Sequence, residues 1–421
     1  MVGLGIHGLP TEILEEVILN ALELGGGVDL NTSQGIWTCS HISRRWRAVA
    51  LARCSFWSRI TIEGVWLPSS AVEILETILM RSNNHPITLN LTYDGPGLPL
   101  ILDKLISHSY RLQSAALQMA AYRLSQKCIF PALQTLEIVC PPLPHQSSYE
   151  QSIIYEAPAL RSLTVRGFTT SPGIQALALP WCQITVYHAY RCNENDQLRL
   201  LPLLPNMVEY HCLTESTCRS IDEYSPINGH VLCSRLENLV VDGTKLMDAL
   251  IAPSLQRVQI PLALAQMQAL YRLVQRSSCR IRALTLVGDR EYVFPESIIS
   301  LLHSLPYLTT LQINHRNSRP PPFFEHLVHD GDCAPILPRL QHLLISRKYA
   351  SESYREEVES LVRVLYSRNG SLQGVEALRS LCYELHQSYA IHPRRRFFLM
   401  QEVYGPLFRH KGVVDIRLSL L

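Results

Sequence analysis

Residues 133–138 read Leu-Gln-Thr-Leu-Glu-Ile, and residues 160–165 read Leu-Arg-Ser-Leu-Thr-Val. The frame is an anchor, two residues, a Leu or Val, one residue, then Ile, Val or Leu. It returns at 236–241, 255–260, 281–286, 308–313 and 340–345, with weaker copies expected at 181–186 and 86–91. Anchor spacings are 27 (133 to 160), 21 (160 to 181), 19 (236 to 255), 26 (255 to 281), 27 (281 to 308) and 32 (308 to 340). The last three positions of each frame describe a short strand with alternate residues turned inward. Pro131, Pro158, Pro253, Pro306 and Pro338 break the chain ahead of their anchors. Helical periodicity between the frames predicts return helices over 71–81, 262–276, 296–304 and 354–366. None of these units can bury its apolar face without its neighbours. An internal echo agrees: Arg81-Ser82 and Arg276-Ser277 are 195 residues apart, and Leu89-x-Leu91 recurs at Leu284-x-Leu286 with that offset. The expected class is α/β with a parallel sheet; a general α/β domain with several parallel strands is the alternative.

Composition bounds the function. The chain has 421 residues, 47% of them hydrophobic, with 38 Lys+Arg against 36 Asp+Glu. A formal charge of +2 argues against a surface built chiefly to grip nucleic acid or anionic lipid. No apolar run reaches the ~18–20 residues of a membrane span, and no basic n-region precedes an apolar run at the N-terminus. The 12 cysteines are scattered through apolar runs, as reduced cytoplasmic or nuclear core thiols are.

The first sixty residues follow a different period. Pro10 sits where a first helical residue would, and Ile13, Leu14, Val17, Ile18, Ala21 and Leu22 follow at helical spacing up to Gly25-Gly26-Gly27. A second periodic stretch places Ile36, Cys39, Ile42, Trp46, Val49 and Ala50 on one face, and Phe56, Trp57 and Ile60 close the segment. So small a helical group leans on a neighbour or partner.

LPTEIL (9–14), CSHISRRWRAVAL (39–51) and FWSRI (56–60), in that order, resemble the three blocks of an F-box. Two departures are the long GGGVDLNTSQG connection (25–35) and His41-Ile42-Ser43 in place of a valine-cysteine lead into the Trp. The frames of the remaining chain resemble irregular leucine-rich repeats of the kind that follow many F-boxes, especially in fungi, without the Asn/Cys ladder position. The resemblance implies a short helical F-box over 6–60 and an irregular leucine-rich-repeat-like solenoid over 61–421. It implies contact with the Skp-type adaptor of a cullin–RING ubiquitin ligase through Leu9, Pro10, Ile13, Leu14, Val17, Ile42, Trp46 and Val49, with Trp46 and Val49 also holding the helices together. It further implies that residues between the inward positions meet an unknown protein substrate: Glu137, Thr164, Asn238, Arg257, Gln259, Thr285, Gln312 and His342. For each of these, a plain solvent-facing strand position is the ordinary account. No convergent arginine cluster is evident along the repeats. The expected role is a non-catalytic substrate receptor, with an interaction scaffold lacking any ligase role as the alternative.

Signals of chemistry are weak. Gly3-x-Gly5-x-x-Gly8 has the letters of a dinucleotide fingerprint, but only two residues precede it, too few for the required strand. Cys182, His188, Cys192, His211, Cys212 and Cys218 crowd one region without a C-x-x-C knuckle; His326, His329, Asp330, Asp332 and Cys333 form a second group. Buried thiols and loop polar residues account for both, so no metal or cofactor is expected. The basic run His392-Pro-Arg394-Arg395-Arg396 reads as a solvated turn.

Overall fold

In the computed structural model of the chain, a tight turn delivers each strong anchor into the core. The Leu133 N–H donates to Phe130 O (3.2 Å), Leu160 to Ala157 O (3.0 Å), Leu255 to Ala252 O (3.2 Å), Leu308 to Leu305 O (3.1 Å) and Leu340 to Leu337 O (3.1 Å). The proline of each turn occupies its second position, where a fixed φ presets the bend and no N–H is needed. The residue after the anchor then begins the ladder: the N–H of Gln134 donates to Gln113 O, Arg161 to Gln134 O, Arg282 to Gln256 O, Thr309 to Arg282 O and Gln341 to Thr309 O. Parallel pairing thus starts one residue past each of these anchors.

The structure describes residues 9–24, 27–64, 67–93, 97–118, 129–139, 156–167, 179–214, 229–288, 295–315, 322–328, 335–347, 355–368, 375–387 and 414–420. The chain divides into two compact units, Met1–Asp196 and Gln197–Leu421.

The first unit opens with α1 (Thr11–Leu24), then β1 (Val28–Asp29), α2 (Gly35–Ile42), α3 (Arg44–Ala52) and β2 (Arg59–Ile62). It continues through α4 (Ala71–Arg81), β3 (Ile87–Leu91), α5 (Leu98–Ile106), β4 (Leu112–Gln118), β5 (Thr135–Val139), β6 (Ser162–Arg166) and β7 (Val186–Cys192). These seven strands pair in chain order, all parallel. The expected boundary at residue 60 falls within β2, which pairs with both β1 and β3. The periodic stretch from Ile36 to Ala50 is two helices. Ser43 interrupts it in extended conformation and caps α3 by accepting a hydrogen bond from the Trp46 N–H (3.3 Å). At Gly27 (φ +121°) an added Cβ would lie 2.6 Å from the Arg59 carbonyl oxygen, so β1 reaches β2 only because this residue is glycine.

In the second unit, α6 (Glu194–Leu200) leads in from the division, followed by β8 (Glu209–Thr214), β9 (Val231–Leu232), β10 (Asn238–Val241), α7 (Thr244–Ala249), β11 (Leu250–Ile251) and β12 (Arg257–Pro261). Then come α8 (Leu264–Ser277), β13 (Ala283–Gly288), α9 (Pro295–His303), β14 (Thr310–His315), β15 (His342–Arg347), α10 (Arg355–Ser367), β16 (Ser380–Gln387) and β17 (Val414–Leu420). A parallel sheet runs β8-β10-β12-β13-β14-β15-β16-β17 in register, and β9 pairs with β11 apart from it. The chain is therefore α/β with large parallel sheets. No described helix is long and apolar enough to cross a membrane.

One sheet face in each unit is core. Leu136, Leu163, Leu239, Leu284, Leu311 and Leu343 are at most 1% exposed, as are their partners Ile138, Val165, Val241, Leu286, Ile313 and Ile345. The return helices contribute the same kind of residue: Leu75 and Ile78 of α4, Leu270 and Leu273 of α8, Val358 and Leu361 of α10 are buried. The weak copy at 181–186 needs correction. Ile184, not Trp181, is the buried anchor, and the inward strand residues are Tyr187 and Ala189, three positions later than expected. The same geometry also holds at Trp57/Ile60/Ile62, Met207/Tyr210/Cys212 and Leu378/Leu381/Tyr383, which the leucine pattern does not reveal.

Three buried or half-buried arginines tie neighbouring segments of the fold together. Arg111 donates to Ser82 Oγ (2.9 Å) and Leu79 O (2.8 Å) at the end of α4. Arg276 donates to Leu250 O (2.9 Å) and Met247 O (2.7 Å) at the end of α7. Arg368 donates to Leu327, Leu337 and Ile336 carbonyls. A guanidinium offers several donors in a fixed fork, which suits carbonyls left open at helix ends and turns.

Candidate functional site

α1 carries two apolar stripes. Leu14, Ile18 and Leu22, at four-residue intervals, are 5% exposed or less and face the core. Ile13 and Val17, one residue earlier in each turn, are 47% and 41% exposed. Pro10 and Ala21 are exposed along the same stripe, and Leu9 is half-buried at its start. Ile42, at the end of α2, is 50% exposed. Leu9, Pro10, Ile13, Val17 and Ile42 thus reach the surface. Leu14, Trp46 and Val49 do not: they are 0%, 4% and 6% exposed. Their place in the adaptor-facing set is corrected, because side chains so buried hold the helices together and cannot also meet a partner.

The helices beneath the stripe are fixed by aromatic packing. Trp37 and Trp57 meet edge to face, with ring centroids 4.9 Å apart at 79°. The Trp37 Nε1–H donates to Asp29 O (3.1 Å) and the Trp57 Nε1–H to Ala50 O (2.8 Å). The Arg81 guanidinium, from α4, lies 4.9 Å from the Trp37 ring centroid and 4.4 Å from that of Trp57. Burial first, and the neighbouring positive Arg47 second, pull the Arg81 pKa down. Arg53 pairs with Glu15 of α1 and lies 5.4 Å from the Phe56 ring centroid. The apolar stripe therefore rides on a small group pinned to β1, β2 and α4. In the sequence Arg81 is marked only by its echo at Arg276, and Trp37 not at all; Trp37 is a poorly placed residue of a short helix until Trp57 is brought against it.

The opposite face of each sheet presents rows of half-buried polar residues. In the first unit, register aligns Thr61, Asn90, Ala116, Glu137, Thr164 and His188. Asn90 donates to Glu63 (2.7 Å), Arg166 pairs with Glu137, and the Arg166 guanidinium lies 4.6 Å from the Tyr190 ring centroid. In the second unit, His211, Val240, Gln259, Thr285, Gln312 and Leu344 form one row. Glu209, Asn238, Arg257, Ala283, Thr310, His342 and Ser380 form the row before it. The expected target-facing residues thus share outer rows: Glu137 with Thr164; Gln259, Thr285 and Gln312 together; Asn238, Arg257 and His342 together. His342 Nδ1 is 2.8 Å from Ser380 Oγ, and His211 is 3.3 Å from Glu209. Arg166, Tyr190 and Asn314 belong to this face too, and the frames do not single them out.

Two of the described thiols are ill suited to nucleophilic work. Burial pushes Cys233 and Cys279 each up to about 11, so neither is a thiolate at neutral pH. Cys192 and Cys212 are buried at strand positions, while Cys182 is exposed. Cys218, the Gly3–Gly8 motif, His329, Asp330, Asp332, Cys333 and the basic run at 392–396 lie outside the described residues; His326 is exposed in the short helix Pro322–Leu327. No protein-family model matches the chain, and no curated protein matches its sequence.

Proposed function

We propose that this protein is the substrate-recognition subunit of an SCF-type cullin–RING ubiquitin ligase, with an F-box at its N-terminus and an irregular leucine-rich-repeat solenoid behind it. The observation that carries the reading is the second stripe of α1. Ile13 and Val17 leave apolar surface in water along α1, and Leu9, Pro10 and Ile42 also reach the surface, at residues where the F-box resemblance puts adaptor contact. A row of exposed aliphatic side chains on a helix whose adjacent apolar stripe is already buried is what helix docking to a partner requires.

The mechanism is positional. The adaptor holds the opening helices, the outer sheet rows hold a target protein, and target lysines gain effective concentration beside a ubiquitin-charged conjugating enzyme. The receptor supplies no catalytic residue. The neutral polar composition of the outer rows, with scattered charges, suits a protein surface better than a phosphate polymer.

Co-expression of the full chain with a Skp-type adaptor tests this. Retention of the adaptor that disappears in Leu9→Ala/Pro10→Ala supports the receptor. A folded wild-type chain that retains no adaptor overturns it in favour of a scaffold with no ligase role.

A further inference from the structure

We propose that the strand-N-terminal edge of the second unit binds an acidic segment of a protein partner, centred on Tyr307 between Arg280 and Arg339. This deepens the receptor reading by naming the chemistry of the target, and it rests on that reading only for the fate of the captured protein.

The edge is built by the turns that precede each anchor. Residues beside the inward anchors project from it, and in the second unit many are arginine: Arg235, Arg257, Arg280, Arg282, Arg339 and Arg379, all exposed. Among the described residues none of the six forms an ion pair with a carboxylate. The acidic groups on the same edge are few. Glu237 is half-buried, Glu376 accepts a hydrogen bond from Gln341, and Glu209 faces His211. The equivalent positions of the first unit are Ala132, Gln134, Ala159 and Thr185. Of the arginines at such positions in the first unit, Arg161 donates to Pro158 O (3.1 Å) and Leu160 O (2.9 Å), Arg111 is buried on Ser82 and Leu79, and Arg59 is exposed at the start of β2. Positive charge is therefore gathered locally on a chain whose formal charge is only +2.

Two of these guanidiniums stack on one ring. Arg280 lies 5.0 Å and Arg339 5.1 Å from the centroid of the Tyr307 ring. Each cation–π contact positions a guanidinium beside the electron-rich ring and leaves its N–H donors for a partner. Carboxylates of an incoming segment receive charge-assisted, bidentate hydrogen bonds from either guanidinium. Arg257 on β12 and Arg379 beside β16 mark the ends of the strip. Four strand spacings of ~4.8 Å make it about 19 Å long, the reach of roughly six extended residues.

A peptide fits better than a nucleic acid. Sequence-tolerant binding of single strands needs several aromatic platforms, whereas this edge offers Tyr307, already covered by two arginines. The adjoining outer row, Gln259, Thr285 and Gln312, gives neutral donors and acceptors suited to a peptide backbone. The cluster escapes notice in the sequence because its members lie in different turns, and only the parallel register lines them up.

The test uses the full chain and fluorescence anisotropy with three labelled probes: a Glu–Ser repeat peptide, its Gln–Ser counterpart and a thymidine oligonucleotide of matching charge. The Glu peptide is expected to bind at least about tenfold more tightly than the Gln peptide, and added salt should weaken it. Arg280→Glu/Arg339→Glu should weaken it by a further factor of about ten, and Arg282→Glu by a smaller factor, while Arg355→Glu on α10 leaves it unchanged. Equal affinity for the two peptides overturns the proposal. So does an equal loss in Arg355→Glu, or an oligonucleotide that binds more tightly through the same arginines. Adaptor retention is measured on the same preparations. Its absence in the wild type strikes the receptor reading alone, because the peptide comparison does not depend on it.

Discussion

Arg368→Met removes a guanidinium that is 2% exposed and that donates to Leu327 O at 3.1 Å, Leu337 O at 2.9 Å and Ile336 O at 2.5 Å. Hydrogen bonds from a charged donor contribute roughly 1.5–3 kcal/mol each, so three are worth about 6 kcal/mol. Against this stands the cost of burying the charge. Burial draws the Arg368 pKa down to about 10, which is worth about 3 kcal/mol relative to an ordinary guanidinium. The hydrogen bonds win, and the net loss expected on removing the side chain is about 3 kcal/mol. In native-state hydrogen exchange that corresponds to roughly hundredfold faster opening of amides in α10 and in the paired strands β14, β15 and β16. Arg368→Lys keeps the charge but loses the fork, and should fall between the two. Unchanged exchange in Arg368→Met, with an unchanged urea midpoint by far-UV circular dichroism, would refute the reasoning that this cation ties the Leu327 and Leu337 segments to α10.

Other perturbations separate stability from docking. Leu14→Ala, at a fully buried position, should cost about 2–5 kcal/mol, whereas Ile13→Ala should change stability by no more than about 0.5 kcal/mol; thermal melts of the two single variants check this. Arg81→Ala removes a cation from two indole rings and should cost about 1–2 kcal/mol, read by urea denaturation with tryptophan emission, with Arg81→Lys recovering part of it. Glu357 is buried against Arg347 (2.6 Å) and Tyr383 (3.5 Å), and burial raises its pKa above the ordinary 4.5 despite the arginine and the hydrogen bonds, which act the other way. A carboxyl raised in the folded state binds more protons there than when unfolded. Its contribution to stability is therefore full below pH 4.5 and declines as the pH rises through the raised value. Urea midpoints measured upward from that pH should fall less steeply in Glu357→Gln than in the wild type; parallel curves would remove Glu357 as the source.

Much of the sheet is legible because its code is local. Pro-x-anchor closes a turn, and the two inward residues beyond the anchor are aliphatic in the strong copies, so period and turn chemistry point the same way. Where the inward places are filled by Tyr187 and Ala189, Tyr210 and Cys212, or Leu381 and Tyr383, the leucine pattern fades although the geometry continues. Pro205 before Met207 marks the turn even there. A frame set on Trp181 puts an aromatic residue in the anchor's place, while Ile184 has the burial and the register. Periodicity likewise cannot divide α2 from α3, since the apolar face continues across Ser43; the cap to Trp46 is the local signal for the break. On α1 the sequence offers two adjacent apolar stripes, and nothing local says which one the rest of the chain covers. Packing decides it: Leu14 goes inward and Ile13 outward. The arginine edge depends on the register of strands separated by whole turns and helices, which no local window contains.

The proposed function stands or falls with the outward stripe of α1 as a docking face. Calorimetric titration of a purified Skp-type adaptor into the full chain tests it most directly, using the wild type and Ile13→Asp/Val17→Asp. A saturable one-to-one complex is expected for the wild type and loss of binding in the variant, with melting temperatures that agree within the small effect expected of exposed positions. A folded wild type that does not bind, or a variant that binds as well as the wild type, would contradict it.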